Sequence, residues 1–189
     1  MIAPAAVLGG VLLKRQSTNQ ELHDELLQRM EKEQAFRREL IDNPDDVQLI
    51  MRTIEADAQN TMWLDEAIKQ HGWLDKTLVG DDGAQAAFLV VQHSPAAQFQ
   101  KKCLSLLDLA VSQNEADVVN LAYLMDRVRV FDGKPQVYGT QGQPDSNGVI
   151  IPSPIEDEEH VDERRKAIGL ESIAEYFKSM NEAYKTQSK

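Results

Sequence analysis

At 189 residues, with 42% hydrophobic and 27% charged side chains, the chain suits one globular domain that buries a core without staples. Its net charge of −11 argues against nucleic acid as a general partner and against an anionic membrane surface, because both need clustered Lys and Arg. The single cysteine, Cys103, excludes an internal disulfide and any zinc site built on several thiolates.

The first sixteen residues read as an apolar arm or leader remnant outside the fold. Their run from Ile2 to Leu13 is shorter than the ~20 residues a membrane helix needs. Lys14 and Arg15 follow the apolar run instead of preceding it, unlike a secretory signal. No membrane insertion is expected, and lone-cysteine usage fits a reducing, cytoplasmic setting. The globular domain is expected over residues 17–185.

Thr18 and Glu21 have capping-box spacing, and Leu22, Leu26, Met30, Phe36 and Leu40 then mark one helical face. In "DNPDD", Asn43 suits an N-cap and Pro44 the first helical position, with Asp45 and Asp46 facing the positive helix end. Val47, Ile50, Met51, Ile54, Ala58 and Met62 form the expected inward stripe of that helix, with Leu64 a further candidate for it. Gly72 suits its C-terminal cap after His71.

The apolar run Ala87–Val91 fits a buried strand or a buried helix, and a helix capped by Asp82 is favoured. Ser94-Pro95 opens the next helix, with Phe99, Cys103, Leu106, Leu107, Ala110 and Val111 inward. Asn114 caps another, striped by Val118, Leu121, Ala122 and Met125. The period then falls from about 3.6 to 2 around Asp132-Gly133, a two-residue hairpin signal. In that register Arg127 opposes Tyr138 and Arg129 opposes Gln136, which would line four polar groups on one face. Gly139–Ile155 reads as loop, "EDEEH" as a solvated helix start, Gly169 as a helix end, and Ile173, Phe177, Met180 and Tyr184 as a last amphipathic face. The fold expected is mainly α, a compact helical domain with one small β-hairpin (about residues 128–138) before the C-terminal helices.

"DAQNTMWLDEAIKQHGW", "VGDDGAQAAFLVVQH", "FQKKCLSLL", "LMDRVRVFDGKPQVYGTQ" and "PSPIEDEEHVDERRKAIGL" together resemble a bacterial family catalogued only as a domain of unknown function. The resemblance covers roughly Glu21 to Tyr176. It implies membership without a mechanism. The matching positions are His71, Gly72 and Trp73; Gln92 and His93; Asp126 and Arg127; and Tyr138 to Gln141.

His93 is the first candidate for acid–base work, since imidazole titrates near neutrality; the plain alternative is a histidine bonded to a loop carbonyl. Asp126 and Arg127 join it as candidate catalytic residues, with Arg127 suited to clamp a carboxylate or phosphate. Alternatively they form salt bridges to Asp57 or to the acidic C-terminal helix. Gln92, Gln136, Tyr138, Thr140, Gln141 and His71 are the candidate ligand-binding groups. His71 equally suits a helix end, where it complements the dipole. The four histidines show no metal-ligand spacing, and there is no P-loop, Rossmann fingerprint or nucleophile elbow. No metal is expected and no cofactor is indicated. Two readings stand: a pocket for a small polar, anionic molecule, catalytic or not, or a non-catalytic protein-interaction module using the acidic surface.

Overall fold

The computed structural model describes residues 18–187, with side chains to residue 183; the arm expected over residues 1–16 and the Tyr184 side chain lie outside the described residues. Helix α1 (Gln20–Asp42) starts at Asn19, whose side chain accepts from the Leu22 amide at 3.1 Å. Thr18 does not form the expected capping box. Its amide and hydroxyl both donate to the Thr77 carbonyl, which ties the start of α1 to the chain around Thr77. Asn43 closes α1, its amide and Nδ2 donating to the Glu39 carbonyl. The cap of α2 (Val47–His71) is therefore Asp46, which accepts from the Gln48 and Leu49 amides.

The face that α2 turns inward is opposite to the expected stripe. Leu49, Thr53, Ala56, Asn60, Leu64 and Ala67 are buried, while Val47, Met51, Ile54 and Met62 are 57–74% exposed. The inward face meets charged groups of α1, to which Asp57 and Asn60 offer oxygens that the apolar stripe lacks. Gly72 ends α2 with φ of 79°, donating to the Ile68 carbonyl.

Helix α3 (Lys76–His93) is central, packing against α1, α2, α4 (Ala97–Ser112) and α5 (Val118–Phe131). It is kinked at Gly80, whose φ of 77° and ψ of 172° suit only glycine. Ala86, Ala87, Phe88, Val90 and Val91 are buried, so the helical reading of that run holds, although Asp75 and not Asp82 caps the helix. Phe99, Cys103, Leu107 and Ala110 of α4 are inward as their spacing predicts, and burial pushes the Cys103 thiol up to about 12. The N-cap of α5 is Asp117 and not Asn114, which has φ of 59° in the preceding turn.

The small hairpin does precede the C-terminal helices, but it sits further along the chain than residues 128–138. Strands β1 (Gly142–Pro144) and β2 (Ile150–Pro152) pair antiparallel, Gln143 opposite Ile151. Residues 128–131 instead finish α5. Leu121, Leu124 and Val128 are buried at helical spacing, so packing overrides the strand preference of the Val-Arg-Val-Phe run. Asp132 and Gly133 form the C-terminal turn of the helix, donating to the Val128 and Val130 carbonyls. The Arg127–Tyr138 and Arg129–Gln136 pairs accordingly do not form. Asn181 of α7 (Ile173–Gln187) bonds both the amide and the carbonyl of Ile150, which docks β2 on that helix.

Between α5 and β1 the chain wraps around the fully buried Asp126. Its carboxylate accepts from the amides of Val137, Tyr138 and Thr140 and from the Thr140 hydroxyl, at 2.7–3.2 Å. Gln136 ties a second knot: its amide group donates to the Gln141 and Ser153 carbonyls and accepts from the Gln141 amide, all at 2.8 Å. A 3-10 turn (Glu158–His160) leads into α6 (Val161–Ala167), whose fully buried Arg165 donates to the Tyr138 and Glu171 carbonyls and stacks on Tyr176. Peptide groups around Tyr138 thus separate a buried anion from a buried cation. Gly139 is required here, because its φ is 67° and an added Cβ would meet Ile173 at 2.6 Å.

Asp126→Asn puts an NH2 group against the loop's amide donors, so it is expected to cost about 3 kcal/mol in denaturant unfolding. Amide exchange at Val137, Tyr138 and Thr140 should accelerate more than exchange in α3. Unchanged exchange at those three positions would contradict the anchoring role.

Candidate functional site

Four helices bring polar side chains together beside the apolar core. From α1 come Glu33 and Arg37, one turn apart; α2 supplies Asp57, α3 supplies Gln92 and His93, and α5 supplies Arg127. Glu33 is 1% exposed, so its charge requires partners. Arg37 Nε donates to Glu33 Oε1, and Gln34 Nε2 donates to Oε2 at 2.8 Å. The same guanidinium reaches α2, Nη2 donating to both Asp57 oxygens at 2.8 and 3.0 Å. Burial raises the Asp57 carboxyl above its ordinary pKa, opposed by the positive charge and hydrogen bonds of Arg37 and by His93 when its ring is protonated.

His93 Nδ1 lies 3.0 Å from Glu33 Oε1. The approach is off hydrogen-bond geometry, and Nδ1 is buried with no hydrogen-bond partner. Burial, then the positive charge of Arg37, lowers the His93 pKa; Asp57 opposes them and Arg127 adds to the fall, to about 4. The ring is therefore neutral at pH 7, and its edge reaches solvent with the side chain 23% exposed. Orienting the Gln92 amide by its surroundings, its oxygen accepts from Arg127 Nε at 3.1 Å and Nη2 at 3.0 Å. No carboxylate among the described residues pairs with Arg127, whose pKa burial lowers.

Of the residues singled out in the sequence, Gln92, His93 and Arg127 share this cluster. Asp126 precedes Arg127 on α5 but turns into the loop, where Gln136 and Thr140 are also engaged. Gln141 Nε2 donates to the Thr140 hydroxyl, and the Tyr138 backbone bridges Asp126 and Arg165. His71 lies at the far end of α2, about 21 Å along the helix from Asp57. There it lines a separate cleft of about 400 Å³ with Asn19, Leu22, Trp63 and Gln70. Arg127 does not pair with Asp57, because Arg37 takes both of its oxygens.

Glu33 and Arg37 were not among the candidates. Their i, i+4 spacing is a signal, but it is the same as that of a solvated helix pair. With Asp57 and His93, Glu33 forms a group whose ligand atoms lie within 4.8 Å of one another, a donor set of two carboxylates and an imidazole.

These features define a mainly α-helical protein with a small hairpin and a polar cluster between α1, α2, α3 and α5. The chain belongs to the family of unknown function DUF6624, whose model matches residues 20–189. No curated protein and no solved structure gives a match. No helix among the described residues is long and apolar enough to cross a membrane.

The folded pKa of His93, about 4, lies below the value near 6.5 expected in the unfolded chain. Above pH 6.5 the group leaves stability unchanged. Between pH 6.5 and 4 the unfolded chain takes up the proton first, and stability falls. The loss is on the order of 2 to 3 kcal/mol, allowing for the ring's partial exposure. Asp57, with a raised pKa, acts in the opposite direction, so the readout is the difference between wild type and His93→Gln. In chelator-treated protein, urea unfolding of His93→Gln should show the shallower decline across that window. Parallel declines would mean that the imidazole is as easily protonated folded as unfolded.

Proposed function

We propose that this protein binds, and acts on, a small polar anion at the solvent-facing edge of the cluster. Arg127 holds the ligand's negative charge, Gln92 braces the guanidinium, and His93 offers a neutral ring as proton acceptor. The observation that carries this reading is the pairing of Arg127: a half-buried guanidinium held by a neutral amide, with no carboxylate among the described residues against it. A cation taken partly out of water gains from an anion that completes its fork of donors. Asp126, Gln136 and Thr140 support the site from beneath by fixing the loop that follows α5. Tyr138, Gln141 and His71 have no contact with the cluster's side chains that favours a role at this site.

Titration calorimetry with inorganic phosphate and with short mono- and dicarboxylates tests the reading. Binding of at least one of these anions is expected, weakened about 10-fold or more in Arg127→Gln, a loss of ~1.4 kcal/mol. Circular dichroism of the variant should match wild type. Absence of binding across the panel, or equal binding by the variant, would remove the pocket.

A protein-interaction module is the second reading, and the outward stripe of α2 favours it over the acidic surface. Val47, Met51, Ile54 and Met62 share one exposed helical face, which is unusual for a helix that already buries its opposite face. If the stripe joins a second copy, sedimentation should show mass rising with concentration in wild type and a monomer in Met51→Glu/Met62→Glu. A wild-type monomer at every concentration would exclude self-contact through it.

A further inference from the structure

We infer that Glu33, Asp57 and His93 form a site for one divalent transition-metal ion, with Arg37 as the resident cation that the metal displaces. The inference deepens the anion-binding reading, since it gives the same cluster a metal cofactor. Three observations support it independently of that reading.

The first is the donor set. One imidazole and two carboxylates, from three different helices, suit Mn2+, Fe2+ or Zn2+ better than the all-oxygen shells of Ca2+ and Mg2+. The second is spacing. His93 Nδ1 and Glu33 Oε1 are 3.0 Å apart without hydrogen-bond geometry. Donors ~2.1 Å from one ion, at right angles to each other, lie about 3 Å apart. Inward movement of Asp57 within the 4.8 Å spread completes three ligands on one side of the ion.

The third is an unused atom. Nδ1 is sealed from solvent and meets no donor, although it sits at the centre of the polar cluster. Arg37 serves both carboxylates but leaves this nitrogen without a partner. A metal ion would engage all three groups at once. Arg37 already meets solvent, with its side chain 34% exposed, so displacement would not require it to leave a sealed interior. Arg127 lies within electrostatic reach of His93 and has no anionic partner among the described residues, so an anion bound by Arg127 would meet the metal as a second positive centre. With the metal on Nδ1, a metal-bound water takes over the proton-handling role at the site.

Chelator-treated full-length protein titrated with Zn2+ and, separately, Mn2+ is the test. One ion per chain is expected, with binding lost in His93→Ala and in Asp57→Asn. Arg37→Met should bind more tightly than wild type, since the competing cation is gone. Because variants of a buried cluster can fail to fold, the wild-type protein supplies a second measurement. Substoichiometric Mn2+ should broaden the His93 ring resonances before those of His23, His71 and His160. No stoichiometric binding, or broadening that begins at another histidine, overturns the site. Anion titrations run in chelator separate the two ideas: Arg127-dependent anion binding without metal uptake leaves the pocket standing and removes the metal. Metal uptake without anion binding does the reverse.

Discussion

Glu33 sets the terms on which the helices meet. A carboxylate with 1% of its surface exposed is stable only where cations and donors replace the water it has lost. Arg37, one turn further along α1, supplies the nearest charge, and its guanidinium has donors left for α2. Asp57 takes them, which fixes the rotation of α2 about its axis. Arg29 extends the same logic one turn back, donating to Asn60 of α2 while stacking on Trp63. The α1–α2 interface is thus a ladder of polar contacts along one side of an otherwise apolar core.

That ladder explains why α2 turns its less hydrophobic face inward. The helix has two candidate faces, and the more hydrophobic one is exposed. A hydrophobic stripe predicts burial only where the neighbouring surface is also apolar. Here the neighbour presents Arg29, Glu33 and Arg37, so the face bearing Thr53, Asp57 and Asn60 turns inward. The hairpin lies further along the chain than its signal for a related reason. Val128-Arg129-Val130-Phe131 alternates like a strand, yet Leu121, Leu124 and Val128 continue the buried spacing of a helix already begun. The true strands are three residues each and contain Pro144 and Pro152, so nothing in their composition marks them. Asn181, about thirty residues away, holds the second one in place.

Other elements were legible because their signals are local. Gly72 and Gly169 end helices with positive φ, and the spacing of Phe99, Cys103, Leu107 and Ala110 marks the inner face of α4. Gln92, His93 and Arg127 were recognisable as unusual residues at the edge of apolar runs. Glu33 was not. In "MEKEQAFRREL" it is one of several charges with helical pair spacing, and only the tertiary packing of α1 against α3 distinguishes the buried one.

Asp126 and Arg127 show how a buried polar group is separated into scaffold and site. Successive residues on one helix point about 100° apart, so the two side chains enter different environments. Asp126 meets three backbone amides and a hydroxyl, and its carboxylate has little capacity left. Arg127 meets one amide oxygen and retains both its charge and part of its donor fork. Gln136 and His93 show the same contrast. Gln136 is saturated by peptide groups, whereas His93 Nδ1 has no hydrogen-bond partner. Saturated groups are stable because nothing further can be added to them. Groups with capacity to spare carry a desolvation penalty. His93 Nδ1 and Arg127 carry it where α1, α2, α3 and α5 meet, and Arg29 Nε, Trp73 Nε1 and Arg165 Nη2 carry it elsewhere in the fold.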